Sequence, residues 1–196
     1  MPTIALVLSF VWALSAFVLR AWIQWRRYGD TGLRGPGKGA GRPIALLLSA
    51  GLLCGAAGSA GALLGLDPLA FLDHTVVSRA GLAVAVAGVV GTVITQLAMG
   101  ASWRVGVDPA ERTDLVTSGP FGLVRNPIYS AMITTVAGLA AMTPNAVALA
   151  GLLLTILAIE LQVRVVEEPH LRRVHGSSFD HYTASVGRFL PLTGRS

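Results

Sequence analysis

Long apolar runs separated by short polar breaks set the pattern of this chain. Apolar stretches run from about Thr3 to Ile23, Pro43 to Leu66, Arg79 to Ala101, Ile128 to Thr143 and Ala146 to Val165. A helix of about 20 apolar residues crosses the roughly 30 Å hydrocarbon core of a bilayer, so four of these runs predict spanning helices. The fourth is marginal alone. Pro144-Asn145 is a tight break, and it predicts that the fourth and fifth runs form a helical hairpin. Beyond them Leu171, Val174, Phe179, Tyr182, Val186 and Phe189 recur every three to five residues. That spacing predicts an amphipathic helix on the membrane surface or capping the bundle. The fold class is all-α: a polytopic membrane helical bundle of about five transmembrane helices with a short cytoplasmic C-terminal amphipathic tail. One integral membrane domain covers residues 1–196, with three helices in 1–101 and a loop, hairpin and tail in 102–196.

Composition agrees. Hydrophobic residues make up 53% and charged residues 13% of the chain, against about 25% charged in soluble domains. The isoelectric point near 10.3 raises nucleic acid as a partner, but no aromatic-interleaved basic face exists, so no nucleic acid is expected. The basic residues instead fall between apolar runs. Arg26, Arg27, Arg34, Lys38 and Arg42 follow the first, and Arg104, Arg112 and Arg125 follow the third. Arg164, Arg172, Arg173, Arg188 and Arg195 follow the fifth, whereas the loop after the second offers Asp67, Asp73 and His74 with only Arg79. The positive-inside rule then places the N-terminus outside and the tail in the cytoplasm. No basic stretch precedes the first run, so it is not read as a signal peptide. Abundant alanine, glycine and arginine beside a single lysine, Lys38, suggest a GC-rich bacterial genome and hence a bacterial inner (plasma) membrane.

Several motifs resolve to plain roles. Gly51/Gly55 and Gly61/Gly65 have the small-xxx-small spacing of close helix contact, serving internal packing or, alternatively, a homodimer. Gly32 to Gly39 approaches a phosphate-binding loop, but Gly39 stands where Ser or Thr belongs and an apolar helix precedes it; it is read as a flexible basic loop. His74, His170, His175 and His181 lack the pairing of a zinc helix, and Cys54 is the single cysteine, so no metal is expected.

Two polar clusters remain. Gly119-Pro120-Phe121-Gly122-Leu123-Val124-Arg125-Asn126-Pro127-Ile128-Tyr129 lies at the mouth of the fourth run. Asn126 and Pro127 suit an N-cap and first helical position, which leaves Arg125 and Tyr129 at the membrane boundary without a structural reason. Arg164, Glu167 and Glu168 close the fifth run, where Pro169 predicts a bend. Arg164 and Glu168 are spaced to pair at i, i+4, leaving Glu167 for another donor.

The order Gly-Pro-aromatic-x3-Arg-Asn-Pro-x-Tyr, a hairpin, then Arg-x2-Glu-Glu resembles the isoprenylcysteine carboxyl methyltransferase family. The tail agrees through Gly176, Phe179, Tyr182, Arg188 and Pro191, so the resemblance covers about Ser118 to Pro191. It implies an integral membrane enzyme using S-adenosylmethionine in a cytoplasm-facing pocket. On that resemblance Gly119, Pro120, Val124, Arg125, Asn126, Pro127 and Tyr129 frame the cofactor. Glu167 and Glu168 complete the pocket, and Tyr182 and Arg188 close it. The pattern takes His or Asn at this position, and the best-known members carry histidine where this chain has Asn126; the amide donates a hydrogen bond but does not titrate. Phe179 replaces a tyrosine.

The implied reaction moves a methyl group to the carboxylate of a lipophilic, isoprenoid-like substrate that enters from the membrane lipid. Glu167 or Glu168 is expected to hold the amino or ribose end of the donor, and Arg164 or Arg188 to orient the acceptor. An ionised carboxylate needs no general base. A phospholipid or amine N-methyltransferase, which does need one, is the alternative, ahead of a sterol-type NADPH reductase or a non-catalytic lipid-binding bundle.

Overall fold

The computed structural model describes residues 1–35, 39–107 and 113–194. Lys38, Arg112 and Arg195, used in the charge argument, and the middle of the glycine-rich loop lie outside the described residues. Five long helices follow one another: α1 (Pro2–Tyr28), α2 (Gly41–Leu63), α3 (Thr75–Ala98), α4 (Pro127–Met142) and α5 (Ala146–His175). A sixth, α6 (Ser177–Ser185), lies in the tail. Among the described residues there is no strand, only two isolated bridges, Leu33 with Val105 and Val124 with Gly187. Helices α1, α2, α3 and α5 are long and apolar enough to cross a membrane, and α4 is the short fifth. Phe10, Leu53, Val76 and Leu153 stand exposed on these spans, as side chains facing lipid do.

Apolar burial does not hold helices together in lipid; close backbone approach does. Helix α3 packs on α4, and α2 on α5, through small residues. A Cβ added at Gly51 would stand 2.7 Å from the Thr155 nitrogen, and one at Gly58 2.7 Å from the Ala148 Cα. Gly51 is thereby committed to a contact within the chain. Gly138 meets α3 just as closely: a Cβ there would lie 2.7 Å from the Ala85 Cα and 2.6 Å from the Gly81 oxygen. Gly138→Val therefore forces these helices apart. It should lower stability by about 1–3 kcal/mol or more, read as a fall in the thermal midpoint of detergent-solubilised protein.

Polar residues pin the bundle at few points. Asn145, 1% exposed, accepts from the Ala148 N–H at 3.0 Å as the cap of α5 and donates to the Gly58 carbonyl of α2 at 2.8 Å. The predicted hairpin is present, and its cap also binds the neighbouring helix. Helix α1 crosses the others, with Trp12 donating to Thr92 at 3.2 Å and packing with Ala16, Met132 and Ile159.

Three details go beyond the sequence reading. At Pro169 the helix does not end: α5 runs on to His175, and a π-helical turn, Gln162–Glu167, precedes the proline. Proline lacks an N–H and crowds the preceding turn; the wider turn lets Pro169 sit as in a first helical turn. The single amphipathic tail helix is instead the end of α5 plus α6, divided at Gly176, whose φ of 53° suits glycine. Phe179 and Tyr182 are buried, so the tail caps the bundle. The loop read as flexible is zipped to the segment after α3: the Arg34 N–H donates to Val105 O at 2.9 Å, and the Val105 N–H to Gly32 O at 2.8 Å. Asp30 pairs with Arg34 and, at 3.4 Å, with Arg104; the Arg34 bond holds its carboxyl well below the usual range.

Candidate active site

The two polar clusters meet. Glu168 of α5 accepts from Arg125 Nη2 at 3.1 Å and from Arg188 Nε and Nη2 at 2.6 and 2.9 Å. The Arg125 guanidinium also donates to the carbonyls of Thr183, Val186 and Gly194 at 2.9, 2.7 and 3.0 Å. Backbone bonds run alongside, from Arg125 N to Gly187 O at 2.8 Å and Asn126 N to Arg188 O at 3.1 Å. The Asn126 amide donates to Arg188 O at 3.3 Å, and Ser130 to Phe189 O at 2.8 Å. The start of α4, the end of α5 and the returning tail form one knot. Asn126 does precede α4, but its side chain bonds the tail and makes no helix cap.

Beside this knot is a cavity of about 240 Å³, far beyond what a trapped water needs. Its lining includes Arg125, Asn126, Tyr129, Glu167, Glu168 and His170, with Phe179 and Tyr182 from α6. The Tyr129 hydroxyl donates to Glu167 Oε1, and the Gln162 amide donates to the same atom at 3.2 Å. Glu167 thus enters the cavity with its carboxylate already oriented. Its apolar lining includes Phe17 of α1, Leu48 of α2 and Met132 of α4, in the same packed cluster as Tyr129. A third wall comes from Gln96, Trp103, Arg104 and residues 113–116. Sequence reasoning missed that wall, because only the strand-like pairing of the loops after α1 and α3 brings it in.

The expected site residues divide accordingly. Arg125, Asn126, Tyr129, Glu167, Glu168 and Tyr182 border the cavity, while Gly119, Pro120, Val124 and Pro127 set the path of the backbone behind it. Arg164 does not pair with Glu168: its side chain is 56% exposed and bonds Glu160 one turn back. The reason is that Glu168 is already taken by two arginines. Arg188 is held in that pair and does not border the cavity. Neither arginine is placed to grip an acceptor.

Tyr182 donates to Phe121 O at 2.6 Å, and burial pushes its hydroxyl up to about 12. The unfolded tyrosine ionises near 10, so the stability this bond adds is whole below about pH 10 and is lost as pH climbs further. A thermal midpoint followed from pH 8 to 11.5 should decline above 10, and Tyr182→Phe should flatten that decline while lowering the plateau by about 1 kcal/mol.

A family model for phospholipid methyltransferases matches residues 77–178, more than half of the chain. The protein belongs to the phospholipid methyltransferase family. This family stands in the same group of membrane methyltransferases as the isoprenylcysteine carboxyl methyltransferases, in agreement with the motifs above. The matched region runs from the start of α3 into α6 and includes Arg125, Tyr129, Glu167 and Glu168. The nickel-cobalt-cadmium resistance protein NccN of Alcaligenes xylosoxydans xylosoxydans is 31% identical over 120 residues, 61% of this chain and 54% of that protein. The chain therefore spans about half the length of this relative. Members of this family are membrane methyltransferases that take their methyl group from S-adenosylmethionine, and the long apolar helices of this chain suit an integral membrane protein. The cavity suits that donor chemically. Glu167 offers a fixed carboxylate to a cationic ligand, and the Arg125 Nε is buried without a partner among the described residues.

Proposed function

We propose that this protein is a carboxyl O-methyltransferase acting on a lipophilic, isoprenoid-like carboxylate at the cytoplasmic face of a bacterial inner membrane, with its N-terminus outside. The observation that carries this reading is a single cavity joining an oriented carboxylate, Glu167, to an apolar lining at Phe17, Leu48 and Met132. S-adenosylmethionine supplies an electrophilic methyl group on a cationic sulfonium. Glu167 holds its amino or ribose end, and Arg125 and Asn126 border the same pocket. The apolar lining takes the acceptor chain directly from the bilayer.

The carboxylates argue for an acceptor that is already ionised. Glu167 is bonded by Tyr129 and Gln162, and Glu168 by Arg125 and Arg188. Glu168 is taken up by its two arginines, and both bonds to Glu167 end on Oε1, so methylating an ammonium headgroup, which requires a base, would depend on Glu167 alone. A carboxylate with its ordinary pKa near 4 needs only orientation and exclusion of water. Arginine positions support the orientation in the membrane.

The test uses S-adenosylmethionine labelled in its methyl group, purified protein and lipid extract. The product should release volatile labelled methanol in alkali. Label retained after alkali would point to N-methylation of a phospholipid and contradict the proposal.

A further inference from the structure

Behind the third wall of the cavity lies a buried cation that the reaction scheme above does not use. Arg20 of α1 is 3% exposed, and among the described residues no carboxylate pairs with it. Its guanidinium bonds Gln24 Oε1 at 2.7 Å, Gly100 O at 2.9 Å and Gln96 O at 3.4 Å. Gln96 O lies in the last turn of α3, and Gly100 O, just beyond that helix, also accepts from the Trp103 backbone N–H at 3.3 Å. Arg20 also stacks on Trp103, 4.6 Å from the ring centroid. Trp103 is 2% exposed and borders the cavity. Its indole N–H makes no hydrogen bond among the described residues, although buried indoles usually find a partner. Gly32 fixes the ring: a Cβ there would stand 2.8 Å from Trp103 Cε3.

An unpaired cation in a membrane span is costly and marks function by default. Here it backs a wall that presents an unused donor. The same cavity is bordered by Glu167, whose carboxylate repels an anion and attracts a cation, while the Glu168 charge is taken up by Arg125 and Arg188. Resting on the methyltransferase reading, we propose that Trp103 and Arg20 form the acceptor's anion subsite. The indole N–H bonds an oxygen of the acceptor carboxylate. Arg20, which touches the ring and not the substrate, positions Trp103 and supplies the countercharge. The Glu167 carboxylate and the Arg20 cation then sort the reactants: the cationic donor to Glu167, the anionic acceptor to Trp103, and the acceptor's chain along Phe17 and Leu48.

The probe is labelled oleate, with oleyl alcohol as its uncharged partner, bound to purified protein in a non-ionic detergent. Wild type should bind oleate at least about tenfold more tightly than the alcohol, as expected for a hydrogen bond to a charged group. Trp103→Phe keeps the ring and removes the donor; it should abolish that preference while alcohol binding and labelled S-adenosylmethionine binding stay as in wild type. Arg20→Gln should also lose the preference, and Arg20→Lys should restore part of it. Equal binding of acid and alcohol by wild type, or an undiminished preference in Trp103→Phe, overturns the subsite. Trp103-dependent oleate binding by a protein that fails to bind S-adenosylmethionine upholds the subsite and removes the methyltransferase reading instead.

Discussion

Replacing Glu168 with alanine should release the C-terminal tail from the bundle. The carboxylate is the one acidic partner of both Arg125 and Arg188 among the described residues, and the three side chains are 11%, 3% and 13% exposed. Removing one member of a buried ionic cluster leaves the others uncompensated, at a cost of about 3–5 kcal/mol. Arg125 retains its bonds to the Thr183, Val186 and Gly194 carbonyls. Arg188 loses both of its charge-assisted bonds, so failure begins at residues 183–194. Limited proteolysis should cut there rapidly in Glu168→Ala and slowly in wild type. Replacing Glu168 and Arg188 together by glutamine should cost less than the two single changes summed, because the pair is removed as a unit.

The second large effect falls on ligand binding and leaves the tail intact. Glu167→Ala should weaken S-adenosylmethionine binding by about 10–100-fold, the scale of a charge-assisted hydrogen bond. Turnover should fall at least as far. Tyr129→Phe should act in the same direction and less strongly, since Gln162 still holds the carboxylate. Both variants should resist proteolysis at residues 183–194 as wild type does. That contrast separates the two adjacent glutamates: Glu168 fastens the tail, and Glu167 faces the ligand.

Much of this arrangement was legible in the sequence, and the illegible parts share one cause. Apolar run length predicts the spanning helices, and Pro144-Asn145 marks the hairpin, because both signals are local. The motifs around Arg125 and Glu167 point to each other for the same reason that they are costly at a membrane boundary. Pairing within the clusters is different. An i, i+4 rule joins Arg164 to Glu168, but it is blind to a tail returning to residue 124 and bringing Arg188 with it. Nor does residue spacing reveal the π-helical turn, Gln162–Glu167, that precedes Pro169 within a continuing helix. Trp103 and Arg20 lie 83 positions apart in the chain, and only the packing of α1 against the end of α3 joins them. Their one sequence signal is Arg20 itself, a charge inside the last turns of an apolar helix.

The central claim is that S-adenosylmethionine binds between the start of α4 and the end of α5. Ultraviolet crosslinking of methyl-labelled S-adenosylmethionine to the purified protein, followed by peptide mapping, tests it most directly. The label should fall on peptides containing Arg125 to Tyr129 or Glu167 to Leu171, and excess unlabelled donor should suppress it. Saturable labelling confined to the lipid-facing surface of α2 or α3, or no saturable labelling of folded protein, would contradict the account.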